Sequence, residues 1–89
     1  MISWGFAFGY SDLVTLDVDF VKPSIYIFAG EAGDIVYENT NGLAQYFPGA
    51  LEGGIYPIAA RKILTSGTVN GTPRTTTASS LVYCSTGIP

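Results

Sequence analysis

The chain has 89 residues, of which 47% are hydrophobic and only 12% are charged, with one cysteine and no histidine. This length fits a single β domain over residues 1–89 with one thin core, and a lone cysteine excludes an internal disulfide. The formal net charge of −3 and the four basic residues exclude the clustered basic face that nucleic-acid binding requires.

The N-terminal residues are apolar and aromatic, and large rings alternate at Trp4, Phe6, Phe8 and Tyr10. We interpret residues 1–12 as an aromatic docking arm or a first strand, because aromatic anchors are typical of interfaces and a strand can be added to a sheet edge. A further core strand and a carbohydrate-binding platform are the alternatives. The stretch lacks the positive charge of a signal peptide and the length of a membrane span, so no membrane contact is predicted.

The next segments read as two strands and a returning strand. Alternation over Leu13–Phe20 predicts a half-buried strand with Val14, Leu16, Val18 and Phe20 on one face. Ile25–Ala29 predicts a strand covered on both faces. Gly30–Gly33 then reads as a tight turn that leads into the returning strand Asp34–Glu38.

The second half of the chain continues this pattern. Asn39–Gly42 predicts a hairpin turn, followed by a strand over Leu43–Phe47 and a longer connection. Ile55–Leu64 is assigned to one strand, although its Ala-Ala-Arg-Lys sequence also tolerates a helix. Thr65–Ser80 reads as a long polar loop, with extension of a strand into part of it as the alternative, and Ser80–Ser85 as the last strand. The predicted fold is therefore all-β, a small antiparallel β-sandwich or partly open barrel of about six strands.

No catalytic residue, cofactor or metal site is predicted. The absence of histidine removes the commonest general base and metal ligand. Cys84 lies in an apolar strand without a basic neighbour, which indicates a buried and unreactive thiol. Asp17 and Asp19 are candidates for glycoside chemistry or calcium binding, but calcium requires more oxygen ligands than they supply. We interpret them as a solvated strand face or as a deterrent to edge pairing.

The sparse charge indicates subunit assembly, because interface cores are depleted of charged residues. The predicted partners are other copies of the chain, assembled as a symmetric oligomer. The predicted contact residues are Trp4, Phe6, Phe8 and Tyr10, with Arg61 and Lys62 as charges at the rim.

From Ile25 onward, several short motifs follow one another in a recognisable order. They are the apolar strand Ile25–Phe28, the turn ending in Gly33-Asp34, the connection Phe47-Pro48-Gly49, the basic strand Tyr56-Pro57-Ile58 to Arg61-Lys62-Ile63, the loop Ser66-Gly67-Thr68, and the final motif Thr77-Ala78-Ser79-Ser80-Leu81-Val82. This order resembles the small spike-base family of tailed phages and phage-like gene transfer agents. Residues 1–21 have no counterpart in that pattern.

The resemblance implies a non-enzymatic virion structural protein, either a capsid decoration protein or the base of a head spike. It would be located in the virion and would contact the major capsid protein or other virion proteins. A host-surface glycan-binding module of a phage tail or spike is the alternative, indicated by the tyrosines and the Thr-rich region. A small hydrolase that uses Asp17 and Asp19 is the third hypothesis.

Overall fold

The computed structural model describes residues 10–85, including only the backbone of Tyr10, and these residues form nine β-strands and no helix. In chain order the strands are β1 (Tyr10–Leu13), β2 (Tyr26–Glu31), β3 (Gly33–Glu38), β4 (Ala44–Ala50), β5 (Ile55–Tyr56), β6 (Lys62–Leu64), β7 (Ser66–Val69), β8 (Thr72–Thr75) and β9 (Ser79–Ser85). Sheet A has the order β1-β9-β2-β5, sheet B has the order β4-β3-β6, and β7 and β8 form a separate hairpin. The predicted all-β class is confirmed, and the architecture is consistent with a small sandwich or partly open barrel.

The C-terminal strand β9 lies inside sheet A, between β1 and β2. It is antiparallel to both neighbours, and Tyr83 is paired with Asp12 on one side and with Ile27 on the other. Residues 81–85 are all buried, so both faces of this part of β9 are covered, because successive side chains of a strand point to opposite faces. The predicted last strand is confirmed, and β9 begins at Ser79.

The chain passes from sheet A to sheet B at Ala32 without turning back. The strand β2 pairs with β5 and β9, whereas β3 pairs with β4 and β6. The prediction of a tight turn over Gly30–Gly33 with a returning strand is therefore wrong, although both strands exist. At the crossing point Gly33 has a φ of 154°, and a Cβ there would lie 2.3 Å from the backbone nitrogen of Ala78. Only glycine accommodates this approach.

The strands β3 and β4 form the predicted hairpin. In its turn, the side-chain oxygen of Asn39 accepts hydrogen bonds from the N–H groups of Asn41 and Leu43 at 2.9 and 3.0 Å. Such side-chain bonds stabilise tight turns. The strand β4 continues beyond its predicted end, through Pro48 to Ala50. Proline is tolerated here because β4 is an edge strand of sheet B.

The stretch from Ile55 to Leu64, predicted as one strand, is two short strands in different sheets. The first, β5, pairs with β2, and the second, β6, pairs with β3. Between them, the buried Ser24 hydroxyl donates to the Ile58 carbonyl at 2.7 Å and accepts from the Ala60 N–H at 3.0 Å. These bonds satisfy backbone groups that have left the strand ladders, which allows the buried chain to change sheets.

The region Thr65–Ser80, predicted as a long polar loop, contains the β7-β8 hairpin. Its two-residue turn consists of Asn70 and Gly71, with φ values of 52° and 81°. Positive φ at both central residues is the requirement of a type I′ turn, for which Asn-Gly is a strong sequence signal. The loop prediction is therefore wrong for the two strands of this hairpin. The Thr-rich composition around Asn70-Gly71 obscures the turn signal.

The prediction of a strand over Leu13–Phe20 is also wrong. The strand β1 ends at Leu13, which is the first residue of the predicted strand. Asp17 has a φ of 63°, and this left-handed conformation interrupts an extended strand. Of the predicted buried face, Val14 and Phe20 pack against the core. The residues between them follow an irregular path.

Residues 14–25 form a segment that we call the strap, which crosses from one sheet to the other. At its start the N–H of Val14 donates to the carbonyl of Leu81 in sheet A, at 3.0 Å. Further along, the N–H of Asp17 donates to the carbonyl of Ile63 in sheet B, at 2.7 Å. At its end the N–H of Ile25 donates to the carbonyl of Cys84, again in sheet A, at 2.8 Å. The strap therefore links the two sheets through backbone hydrogen bonds.

The core lies between the two sheets and is built from small and β-branched side chains. The ring of Phe20, on the strap, stacks on Tyr83 with centroids 3.9 Å apart and an interplanar angle of 4°. The buried cluster consists of Ile27, Ala29, Ile35, Ala50, Ile58, Ala60, Ile63, Ala78, Leu81 and Tyr83. The aromatic stack fastens the strap to this cluster.

Candidate functional site

Cys84, the single cysteine of the chain, lies in the interior of the fold. Cys84 is 1% exposed, and burial raises the pKa of its thiol, so the unreactive protonated form is favoured. The predicted burial of Cys84 is confirmed. Among residues 10–85, no three His, Cys, Asp or Glu side chains lie close enough together to hold a metal ion.

The two candidate carboxylates do not act as a pair. Asp17 accepts two hydrogen bonds from Thr65, one from its hydroxyl at 2.6 Å and one from its N–H at 2.9 Å. These two bonds, the hydroxyl bond first, lower the pKa of Asp17. Asp19 instead forms ion pairs with Arg61 and Lys62, at 3.4 and 3.5 Å. The prediction that both lie on one strand face is wrong, because the strap is not a strand.

Arg61 and Lys62, the predicted rim charges, belong to a charge cluster with Asp19 and Glu38. Arg61 also lies 3.4 Å from the Glu38 carboxylate, and Lys62 lies 3.7 Å from it. The side chain of Arg61 remains 43% exposed, so its ion pairs are solvated and contribute on the order of 0–1 kcal/mol. Both basic groups are thus engaged within the chain, where they hold the strap near β3 and β6.

A second polar cluster is centred on Asp34 and is formed by β3, β4 and β8. Its carboxylate accepts hydrogen bonds from the Gly49 N–H and the Tyr46 hydroxyl, both at 2.9 Å. The Gly49 bond first, and then the Tyr46 bond, lower the pKa of Asp34, and the same carboxylate raises the pKa of Tyr46. The guanidinium of Arg74 lies 4.4 Å from the centre of the Tyr46 ring. These contacts join strands, and each oxygen of the Asp34 carboxylate accepts one hydrogen bond.

The aromatic contact residues Trp4, Phe6 and Phe8 lie outside the described residues. Tyr10 begins β1, and its backbone is paired with Ser85 at the end of β9. Residues 10–12 of the predicted docking arm are therefore part of sheet A.

Exposed apolar side chains are concentrated between residues 13 and 25. Scattered exposed apolar residues are normal, but a contiguous apolar patch is typical of an interaction surface. Along this exposed apolar stretch, exposure ranges from 38% to 72% at Leu13, Leu16, Val18, Val21 and Ile25. The sequence analysis predicts Leu16 and Val18 on the buried face of a strand, because they alternate with polar residues. The structure instead exposes both side chains.

A groove opens beside this stretch, where β1 has ended and β9 continues. Its volume is about 150 Å³, and it is lined by Val14, Leu16, Ala78, Ser79, Ser80 and Leu81. Ser80, one of its lining residues, has a φ of 54°, a conformation that costs energy in a non-glycine residue. A Cβ at Gly30 would lie 2.5 Å from the Ser80 Cβ, so glycine is required opposite this residue. No sequence signal predicts the groove, because its walls come from distant segments.

The fold alone does not identify a function, since small all-β scaffolds serve many unrelated functions. No helix among residues 10–85 is long and apolar enough to cross a membrane. In comparisons with known proteins, no family model, curated protein or solved structure matches this chain.

Proposed function

We propose that this chain is a non-enzymatic structural subunit of a phage particle, which assembles with other copies of itself and with other virion proteins. The observation that carries the proposal is the exposed apolar stretch at residues 13–25, including Val21 at 72% exposure. Placing such side chains in contact with a neighbouring subunit removes them from water, and this is the main driving force of protein association.

Burial of this stretch contributes favourably to assembly. Burying one large aliphatic side chain contributes about 1.5–3 kcal/mol, and partly exposed side chains contribute roughly half of that. The five side chains of the stretch therefore supply several kcal/mol, which offsets part of the entropy lost on association. In a closed ring or on a lattice each subunit forms more than one contact, so modest pairwise energies accumulate.

The virion setting is supported by the resemblance to the spike-base family from Ile25 onward. Two motifs that are separate in sequence meet in the fold: Asp34 of the Gly-Asp turn accepts a hydrogen bond from Gly49 of the Pro-Gly connection, at 2.9 Å. The donor is the backbone N–H of Gly49, whose φ of 74° favours glycine at this position. The order of the short motifs along the chain is what supports the virion setting.

A glycan-binding function has less support. Sugar-binding sites use open aromatic faces, but one face of Tyr46 is covered by the Arg74 guanidinium, 4.4 Å from the ring centre. Phe47 and Tyr56 contact each other with ring centroids 4.8 Å apart. These rings therefore contribute to packing rather than to an open stacking platform.

The test is to purify the particles produced by cells that encode this chain and to quantify the chain by peptide mass spectrometry. We expect the chain to co-purify with the particles at a fixed ratio to the major capsid protein. A chain that is expressed but absent from the particles would contradict the proposal. Retention of the purified chain on host envelopes without particles would favour the glycan-binding alternative instead.

A further inference from the structure

We propose that Asn70 is a site of spontaneous covalent modification, at which the side-chain amide becomes a carboxylate after attack by the backbone nitrogen of Gly71. This inference does not depend on the proposed function. The site is the turn of the β7-β8 hairpin, where Asn70 and Gly71 are the two central residues. A second Asn-Gly step, Asn41-Gly42, lies in the turn between β3 and β4 and provides an internal comparison.

The reaction requires only water as a second reactant. The Gly71 nitrogen forms a bond to the carbonyl carbon of the Asn70 side chain, and the bond from that carbon to the amide nitrogen breaks. The amide nitrogen leaves as ammonia with the proton that Gly71 loses, and a cyclic succinimide remains. Water then opens the ring at either of its carbonyl carbons and gives aspartate or isoaspartate. Glycine favours the attack, because it has no Cβ to hinder its nitrogen.

The Asn70 turn leaves the attacking nitrogen free. Within the part of the chain that the structure describes, the N–H of Gly71 donates no hydrogen bond to another protein atom. The hydrogen bond that closes such a turn uses the N–H of the next residue, Thr72. Both turn residues are exposed, and a Cβ at Gly71 would meet nothing within 4 Å. Water therefore reaches the reacting atoms.

The β7-β8 hairpin also opens easily, which ring closure requires. The reacting atoms meet only when the Asn70 backbone leaves its left-handed conformation, with a φ of 52°. Among the strands of residues 10–85, β7 and β8 pair only with each other, and all four residues of β8 are exposed. A two-stranded hairpin with an exposed backbone is marginally stable, so its local opening costs little free energy.

The Asn41 turn is held closed by more hydrogen bonds. The N–H of Gly42, the corresponding nucleophile, donates to the carbonyl of Asn39 at 3.0 Å. The side-chain oxygen of Asn39 accepts from the N–H groups of Asn41 and Leu43, at 2.9 and 3.0 Å. These bonds must break before the Gly42 nitrogen can attack. Because both sites have the same two reacting residues, their hydrogen bonding is what predicts that Asn70 is modified first.

The two products have different consequences for the hairpin. The aspartate product adds one negative charge to the formal net charge of −3 and keeps the length of the main chain. The isoaspartate product moves the side-chain methylene into the main chain. The turn then no longer has the backbone of a two-residue type I′ turn, and we expect this product to lose the pairing of β7 with β8.

The test is to incubate the purified wild-type chain at mildly alkaline pH and to follow both sites by peptide mass spectrometry. Cleavage after basic residues separates the sites, because Arg61 and Lys62 lie between them, and each conversion raises the peptide mass by about one dalton. In the folded chain we expect conversion at Asn70 to be at least about fivefold faster than at Asn41. In urea, where neither turn persists, the two rates should be about equal. Equal rates in the folded chain, or faster conversion at Asn41, would overturn the inference.

The variant Asn39→Ala tests the structural reason for the difference. It removes the side-chain acceptor from the Asn41 turn and leaves the β7-β8 hairpin unchanged. We expect conversion at Asn41 to become at least about threefold faster, because its turn opens more readily, with no change at Asn70. A variant in which the rate at Asn41 stays at the wild-type value would show that the turn contacts do not select the site, and would also overturn the inference.

Discussion

Asp17 and Thr65 are 48 positions apart and are joined by two hydrogen bonds to one carboxylate, at 2.6 and 2.9 Å. The first residue lies at the bend of the strap, and the second follows β6. The left-handed backbone of Asp17, with a φ of 63°, turns the carboxylate towards its partner. This contact holds the bend of the strap against sheet B and so fixes the path of the exposed apolar stretch.

The Asp17 contact predicts a pH dependence of stability. The pKa of Asp17 is lower in the folded chain than in the unfolded chain, where it is about 3.9. The stability that it confers is therefore complete above that value and is lost as the pH falls through the folded pKa. In urea unfolding, we expect Asp17→Asn to be least stable relative to the wild type at neutral pH, with the difference shrinking below about pH 4.

The control for this prediction is Glu52→Gln, which removes a carboxylate from an exposed turn. It should follow the wild-type stability profile more closely than Asp17→Asn does. A difference between Asp17→Asn and the wild type that stays constant from neutral to acidic pH would contradict the role of the ionised carboxylate.

The stack of Phe20 on Tyr83, with centroids 3.9 Å apart, predicts that the strap is part of the folding unit. We expect Phe20→Ala to lower the free energy of unfolding by about 2–4 kcal/mol, because it removes aromatic packing from the core. The control Leu43→Ala, at a side chain that is 60% exposed, should cost less than about 0.5 kcal/mol. Equal losses in chemical denaturation would show that the strap is not packed as described.

The chain passes from sheet A to sheet B where Gly33 approaches Ala78. We therefore expect the stability of the fold to be sensitive to a methyl group at position 33. A Cβ at Gly33 would lie 2.3 Å from a backbone nitrogen, whereas one at Gly53, with a φ of 78°, would meet nothing within 4 Å. We expect Gly53→Ala to cost about 1 kcal/mol from backbone strain alone. Gly33→Ala should cost clearly more or prevent folding, as measured by thermal unfolding, and equal melting temperatures would contradict the crossing geometry.

The charge cluster predicts a small effect on both stability and assembly. Arg61 and Lys62 each contact Asp19 and Glu38 at 3.4–3.7 Å, and solvated pairs of this kind contribute on the order of 0–1 kcal/mol. We expect Arg61→Gln/Lys62→Gln to unfold within about 1 kcal/mol of the wild type and to keep its oligomeric mass. A loss of assembly without a loss of stability would show that these side chains contact a partner.

Several elements are predictable from the sequence because a local signal determines them. The Asn39–Gly42 turn and the final strand follow from turn chemistry and from an uninterrupted apolar run. The β7-β8 hairpin had a comparable signal in Asn70-Gly71, which the surrounding threonines obscure. In these elements the residues of the turn or strand itself are sufficient to predict its structure.

The strap and the groove could not be predicted, because long-range contacts determine them. Alternation from Val14 to Phe20 fits a strand, yet Asp17 bends towards Thr65 and exposes the side chains between the two ends. The passage of the chain from sheet A to sheet B at Ala32 also depends on which strands pair with β2 and which pair with β3. A sequence pattern gives the period of side chains but not the sheet to which a strand belongs.

Light scattering across a range of protein concentrations tests whether the exposed apolar stretch drives assembly. The wild type is compared with Val18→Asp/Val21→Asp and with the control Leu43→Asp/Leu51→Asp, whose positions are 60% and 69% exposed. We predict a defined oligomer for the wild type and the control, and a folded monomer for Val18→Asp/Val21→Asp. A wild type that stays monomeric at every concentration, or an oligomer that both variants leave intact, would contradict the claim.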